Sequence, residues 1–197
     1  MKTTGAYHSP LREAQAAATS QRILEAVGAV LERGDEPTYA LVAQAAGCQE
    51  RTVYRHFPTK EHLAAAFWDW QYSILGPRDW NLGTEAELVA LINRSFRAFD
   101  EHPELVKAML HTRHGRDARL SENDERRAMA HRCVDAAVPG LSRRHRRQAA
   151  AATQLLFSAA AWEVLRDYWD MDGEQAAATV SLALTAMFEG LRRSSTT

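Results

Sequence analysis

The side chains best suited to recognition chemistry stand on the short segment 49–56. If that segment is helical, a step of about 100° per residue puts Arg51 and Arg55 on one side, pointing away from the apolar residues. Thr52 and Tyr54 flank this outward side. Guanidinium groups pair with guanine edges or phosphates, and a hydroxyl and a phenol can bond phosphate oxygens. This set of side chains therefore suits the major groove of DNA.

A plainer interpretation of the same residues is a solvated helix face, with Arg51 paired to Glu50 or Glu61. A solvated helix face does not explain the position of Lys60. This lysine falls in the first turn of the next predicted helix, where the helix dipole disfavours a cation unless an anion binds there. A DNA phosphate would remove that conflict.

Whole-chain composition limits the possible classes. The chain has 197 residues, 46% of them hydrophobic, and a net charge of −1, so any contact with nucleic acid must be local. Its two cysteines, Cys48 and Cys133, are far apart and predict neither a disulfide framework nor a thiolate metal site. We find no signal peptide and no apolar run long enough for a membrane span, which predicts a cytoplasmic protein without a membrane partner.

Apolar periodicity and cap residues predict an all-α fold, because no segment shows the period-two alternation of a strand. The pattern predicts a loop over residues 114–124 and helices over residues 13–33, 38–47, 49–56, 59–75, 85–101, 103–111, 125–138, 142–169 and 174–193. Gly76-Pro77 then places a domain boundary near residue 75.

The segment 38–63 resembles the DNA-binding signature of the TetR family of transcriptional repressors. The resemblance is carried by Thr38, Val42-Ala43, Ala46-Gly47, Thr52-Val53-Tyr54, His56-Phe57 and Lys60-Glu61. It implies an N-terminal three-helix domain with a helix-turn-helix, followed by a larger helical domain for ligand binding and dimerisation. We therefore expect a flexible arm at 1–12, the DNA-binding domain at 13–60, a connecting helix at 61–75 and the second domain at 76–197.

The resemblance and the outward helix face together predict the DNA contacts, of which Thr38 and Tyr54 would touch phosphates and Lys60 would anchor the fourth helix. The predicted DNA-binding residues are Thr38, Gln49, Arg51, Thr52, Tyr54, Arg55, His56 and Lys60. The chain departs from the family pattern at three positions: Cys48 replaces a common valine, Gln49 a capping serine or threonine, and Arg51 a frequent glycine. We expect the Gln49 cap to be weaker by about 1 kcal/mol.

Residues 176–191 of the last predicted helix are apolar around nearly the whole circumference, so this helix must be covered on more than one side, and the helix before it carries a stripe that includes Leu155, Ala159 and Trp162. Pairing with their symmetry mates would give a four-helix dimer interface, as the resemblance also implies. Burial within a monomer core is the alternative. The predicted interface residues are Leu155, Ala159, Val180, Leu184, Met187 and Phe188.

Aromatic residues of the middle of the chain predict a ligand cavity with polar handles. The candidate ligand-binding residues are Trp68, Trp70, Phe96, Phe99, Met109, His111, Phe157 and Trp162. Ordinary core packing is the alternative for each of them. His111 and His114 have no carboxylate or thiolate at a matching spacing, so we expect neither a metal nor another cofactor.

The densest basic run, residues 143–147, lies outside the predicted DNA-binding domain. Cations at the start of a helix oppose its dipole. We therefore expect a solvated face that meets the acidic residues Glu122, Asp124 and Glu125, rather than a second nucleic-acid patch.

Together these features predict a ligand-responsive repressor that binds a palindromic DNA operator as a homodimer and is released by a small-molecule inducer. Activation instead of repression stays open. The competing classes are an all-helical hydrolase or lyase and a small-molecule-binding module without DNA binding. The sequence contains no GxSxG, no HExxH and no phosphate-binding glycine loop, and we expect no enzymatic activity.

Overall fold

The computed structural model describes residues 10–75 and 80–195, and within these ranges it contains helices and no strand. The all-α prediction is confirmed. The helices are α1 (Pro10–Glu32), α2 (Tyr39–Ala45), α3 (Glu50–His56), α4 (Lys60–Leu75), α5 (Glu85–Glu101), α6 (Pro103–His111), α7 (Arg113–Ser121), α8 (Asn123–Ala137), α9 (Arg143–Leu156), α10 (Ala159–Trp169) and α11 (Gly173–Ser195).

The chain divides into two compact units, Met1–Trp70 and Gln71–Thr197, so that the division falls inside α4. Most of the expected arm and the Gly76-Pro77 break lie outside the described residues. Residues 10–12, which were also expected in the arm, are helical. Pro10 takes the first helical position, where its missing N–H costs no hydrogen bond.

The first unit is built around a small apolar core. Ile23 and Val30 of α1, Val42 of α2 and Val53 of α3 are all completely buried. Each such side chain contributes roughly 1.5–3 kcal/mol by leaving water. This core fixes α3 against the other helices and leaves the opposite side of α3 exposed.

The second unit is organised around the packing of α5 against α11. Gly173, at the start of α11, lies so close to α5 that a methyl group there would come within 2.7 Å of the carbonyl carbon of Phe96. The backbone N–H of Gly173 donates a hydrogen bond to the carboxylate of Asp100, which also accepts one from the indole N–H of Trp162 at 2.9 Å. Asp100 thus ties α5 to both α10 and α11.

The loop predicted over residues 114–124 is wrong, because α7 and the start of α8 occupy it. Thr112 caps α7 by accepting a hydrogen bond from the backbone N–H of Gly115 at 3.0 Å. Gly115 itself passes so close to α6 that an added methyl group would lie 2.7 Å from the Cα of Met109. A cap and a close backbone approach therefore support a helix that has almost no apolar stripe.

The single helix predicted over residues 142–169 is also wrong, since it is divided into α9 and α10. No glycine or proline marks the break. Ser158 adopts an extended backbone, with φ −80° and ψ 156°, and accepts a hydrogen bond from the N–H of Ala161. A serine cap, which is a weaker sequence signal than proline, ends one helix and begins the next.

Among the described residues, none of the helices combines the length and the apolar character that crossing a bilayer requires.

Candidate functional site

The turn between α2 and α3 has the geometry of a helix-turn-helix. Thr38 caps α2 by accepting a hydrogen bond from the N–H of Leu41 at 3.2 Å. Gly47 follows α2 with φ +62°, a left-handed conformation that favours glycine. The N–H of Cys48 then donates to the carbonyl of Ala43 at 3.0 Å, so the chain reverses tightly before α3 begins.

Tyr39, for which the sequence predicts no role, fixes α3 to α2. Its phenol donates a hydrogen bond of 2.8 Å to the carbonyl of Phe57, just beyond the end of α3. Its ring stacks on that of Tyr54, with centroids 3.9 Å apart. Burial, reinforced by Tyr54 and Glu61, raises the pKa of Tyr39, so the phenol stays protonated and keeps donating. The residues next to Tyr39 in the sequence form no pattern that predicts its contacts with Phe57 and Tyr54.

The outward side of α3 carries the arginines as predicted. Arg51, Tyr54 and Arg55 are exposed, and Thr52 is half-buried beside them. Val53, on the opposite side, is 0% exposed. The helix therefore presents two guanidinium groups and the edge of a tyrosine ring that Tyr39 holds in place.

His56 is placed differently from the outward residues. It is half-buried, and its Nδ1 shares a hydrogen bond of 2.9 Å with the hydroxyl of Ser20 on α1. Burial, followed by the charge of Arg55, lowers the pKa of His56. The lowered pKa favours the neutral ring, which joins α3 to α1, and the direct DNA contact of His56 stays a prediction.

Gln49 stands at the cap position of α3, and its side chain makes no capping hydrogen bond. This agrees with the weak cap expected from the sequence. The backbone carbonyl of Gln49 still accepts the first helical hydrogen bond, from Thr52 N–H at 2.8 Å. The N–H groups of the first turn of α3 are left without a side-chain cap at this position.

Replacing Gln49 with serine is expected to stabilise the protein by about 1 kcal/mol, because the hydroxyl can accept the hydrogen bond that glutamine does not. Urea denaturation measures the gain. Gln49→Ala is the matched control and should leave the free energy of unfolding close to that of the parent. A serine variant no more stable than the alanine variant would contradict the capping account.

The start of α4 extends the exposed basic face. Thr59 accepts a hydrogen bond from the N–H of His62 at 3.1 Å, which begins the helix, and Lys60 is exposed in its first turn. The predicted DNA-binding residues that are exposed on the first unit are thus Gln49, Arg51, Tyr54, Arg55 and Lys60, with Thr38 and Thr52 half-buried.

The second unit contains a cavity of about 300 Å³. Phe99, Met109 and Phe157 of the candidate ligand-binding residues line it. Apolar walls also come from Leu75 and Leu91, while the polar lining residues are Tyr72, Ser95, Arg119, Asn123, Arg126, Gln154 and Ser158.

The other candidate ligand-binding residues do not line this cavity. Phe96 and Trp162 are 0% exposed and belong to the core, as the packing alternative predicts. His111 is exposed, with its Nε2 2.6 Å from a carboxylate oxygen of Glu163. Trp68 and Trp70 belong to the first unit, where both rings pack on Phe67.

The predicted dimer-interface residues divide into two groups. Val180, Leu184 and Phe188 form one stripe of α11 that is at most 2% exposed, because α11 packs on α5 within the same chain. The interface prediction is wrong for these three residues, because their side chains are buried inside the chain and not on its surface. Ala159 is also buried, Met187 is half-buried and Leu155 is 63% exposed.

The exposed apolar residues of the last helices are different ones. Val164, Tyr168 and Trp169 of α10 are between 48% and 80% exposed, and Leu182 of α11 is 73% exposed. A step of about 100° per residue puts Leu182 roughly opposite the buried Leu184. The sequence pattern showed an all-round apolar helix but not which side the chain itself would cover.

The basic run at the start of α9 is paired in a different way from the one predicted. Arg146 makes a bidentate ion pair with Asp135 of α8, at 2.5 Å. Of the expected acidic partners, Glu122 pairs with Arg126 and Asp124 with Arg127. Across residues 10–75 and 80–195, no cluster of three or more His, Cys, Asp and Glu side chains is arranged to hold a metal ion.

The fold and the first unit define an all-helical protein with an N-terminal helix-turn-helix. Residues 31–67 match the family model of bacterial regulatory proteins of the tetR family. A solved TetR transcription regulator from Haloarcula marismortui ATCC 43049 is similar in fold, with a TM-score of 0.60 and 18% identity over 88% of this chain and 98% of that one. No curated protein matches the chain. The family match thus covers the helix-turn-helix, and the solved TetR regulator shows that the two proteins are similar in fold.

Proposed function

We propose that the protein is a ligand-responsive repressor that acts in the cytoplasm without enzymatic activity. A homodimer would bind a palindromic operator through the exposed side of α3, and a small molecule in the cavity of the second unit would release it. Arg51 and Arg55 would read or clamp the major groove, while Tyr54, Thr38, Thr52, Gln49 and Lys60 contact the backbone.

The observation that best supports the proposal is which residues lie at the two ends of α4. The helix begins with the exposed Lys60 and ends with Tyr72 and Leu75, both of which line the cavity. One continuous helix therefore includes the proposed phosphate contact and part of the cavity wall. A ligand that shifts the end of α4 can alter the position of Lys60, and this couples the two sites.

The proposed dimer uses the exposed apolar residues of α10 and α11. Val164, Tyr168 and Leu182 are large apolar side chains left in water on two neighbouring helices. Two copies of this surface, related by a two-fold axis, would form a four-helix interface. The two recognition helices must then lie about 34–36 Å apart to enter successive major grooves.

Leu182→Glu is expected to convert the dimer to monomer at micromolar concentration, because it puts a charge at the centre of an apolar contact. Sedimentation velocity distinguishes the two states. Leu11→Glu is the matched control: Leu11 is 68% exposed on α1, and its replacement should leave the dimer intact. A Leu182→Glu protein that stays fully dimeric would place the interface elsewhere.

The proposed function is tested with an operator selected from random duplexes by the full-length protein. A ligand found by thermal-shift screening should lower operator affinity by roughly 5- to 150-fold, the range of a coupling of about 1–3 kcal/mol. Saturating operator must weaken ligand binding by the same factor. A ligand that fills the cavity while both affinities stay independent would refute the release mechanism.

A further inference from the structure

Three residues on the wall of the cavity in the second unit carry buried hydrogen-bond donors without a partner. Arg119 Nη1, Arg126 Nε and the indole Nε1 of Trp80 are buried nitrogen atoms with no hydrogen-bond partner among the described residues. All three residues line the cavity. Arginine and tryptophan side chains can donate but cannot accept, so the missing partners must be acceptors. Leaving such groups unpaired is unfavourable, particularly for charged ones.

The same wall also has an excess of positive charge. Arg126 donates hydrogen bonds to the phenol of Tyr72 at 2.9 Å and to Glu122 at 3.3 Å, and its guanidinium lies 4.8 Å from the centroid of the Trp80 ring. Glu122 therefore balances Arg126. Among the described residues, the hydrogen bond recorded for the side chain of Arg119 goes to a neutral acceptor, the carbonyl of Leu110, at 3.3 Å.

The electrostatics of Arg119 agree with this geometry. Burial, followed by repulsion from Arg126, lowers the pKa of Arg119. Two guanidinium groups thus lie close enough on the wall to repel each other, and Glu122 forms its ion pair with Arg126. A bound anion would satisfy the free donors and reduce the repulsion between the arginines.

The rest of the cavity is suited to an apolar body. Leu91, Phe99, Met109 and Phe157 provide aliphatic and aromatic walls. The volume of about 300 Å³ is twice the roughly 150 Å³ that accommodates one benzene ring. A molecule of about two rings, or a medium-length alkyl chain, matches this space.

We infer that the inducer is an amphipathic organic monoanion, whose carboxylate binds Arg119, Arg126 and Trp80 while its apolar body fills the space beside Phe99, Met109 and Phe157. This inference rests on the proposed ligand response, because it assigns a chemical class to the ligand of the same cavity. Planar guanidinium groups suit carboxylates since they can bind both oxygen atoms at once.

Three probes of the same shape test the assignment by isothermal titration calorimetry: 2-naphthylacetate, 2-(2-naphthyl)ethanol and 2-(2-naphthyl)ethylamine. The carboxylate should bind about 10-fold or more tightly than the alcohol, and the amine most weakly. Equal or tighter binding of the alcohol or the amine overturns the assignment. So does the absence of binding by the carboxylate at millimolar concentration.

Arg119→Gln should remove the preference for the carboxylate and leave the alcohol's affinity within about 3-fold of the parent, because only the charged contact is lost. Arg119→Lys keeps the charge and should recover part of the preference. Circular dichroism melting checks that the variants fold, and Arg126→Lys provides a second, charge-conserving variant on the other side of the site. A carboxylate preference that is unchanged in Arg119→Gln and in Arg126→Lys overturns the assignment.

Operator binding measured with the same three probes distinguishes the proposed ligand response from the proposed anion site. A carboxylate that binds with the expected preference but leaves the operator complex intact supports the anion site and refutes the ligand response. Release of the operator by the alcohol or the amine, at lower concentration than by the carboxylate, supports the ligand response and overturns the anion site.

Discussion

Trp162→Ala is expected to destabilise the second unit by about 3–5 kcal/mol, the range for removing a large aromatic side chain from a core. Trp162 is 0% exposed, and its ring packs edge-on against Phe99 with centroids 5.6 Å apart. The guanidinium of Arg166 lies 5.1 Å from the ring centroid, and the indole N–H donates to Asp100. The substitution leaves a void and removes one hydrogen bond from the carboxylate that joins α5 to α11. Chemical denaturation measures the loss.

Trp162→Phe is the matched control, since it keeps an aromatic ring and loses the hydrogen bond to Asp100. It should cost less than the alanine variant, about 1–3 kcal/mol. The pair also decides between the two interpretations of Trp162 that the sequence allowed. An alanine variant within about 1 kcal/mol of the parent that nevertheless loses ligand affinity would assign Trp162 to ligand binding.

Arg51→Ala is expected to weaken binding to the selected operator by about 1–3 kcal/mol, or roughly 5- to 150-fold, if its guanidinium forms a bidentate contact with a base. Arg51 is exposed on the side of α3 opposite the buried Val53, so its loss should leave the fold intact. Quantitative mobility shifts on operator and on scrambled DNA measure the effect. The loss should be confined to the operator.

Two variants give this prediction its controls. Lys60→Ala should weaken operator and scrambled DNA alike and reduce the salt dependence, because a phosphate contact releases counterions without reading bases. Arg143→Ala removes an exposed arginine from α9 and should change neither affinity. If Arg51→Ala weakened both DNAs equally, Arg51 would be a phosphate contact instead of a base contact.

The first unit could be predicted closely because its signals are local. Thr38 caps α2, and Gly47 adopts the left-handed conformation of the turn that follows. Val53 lies on the buried side of α3, opposite Arg51 and Arg55. Each of these roles follows from neighbours within a few residues. The exception is His56, whose partner Ser20 is 36 positions away and leaves no local pattern.

The second unit was harder to predict because its determinants are contacts between distant segments. The apolar circumference of α11 could not show that Val180 and Leu184 are buried within the chain while Leu182 remains exposed. Gly115 and Gly173 act by letting two backbones approach closely, which depends on their partners on α6 and α5. Likewise, the sequence shows no pattern that places Arg119 and Arg126 on a cavity wall, and only the fold does so.

The central claim is that the exposed side of α3 gives the protein its specific affinity for DNA. Its most direct test compares the parent with the double variant Arg51→Ala, Arg55→Ala on the selected operator between about 50 and 200 mM salt. The parent should bind the operator far more tightly than scrambled DNA, with an affinity that falls linearly on a double-logarithmic salt plot. The folded double variant should lose this discrimination. A double variant that still discriminates as the parent does would contradict the account.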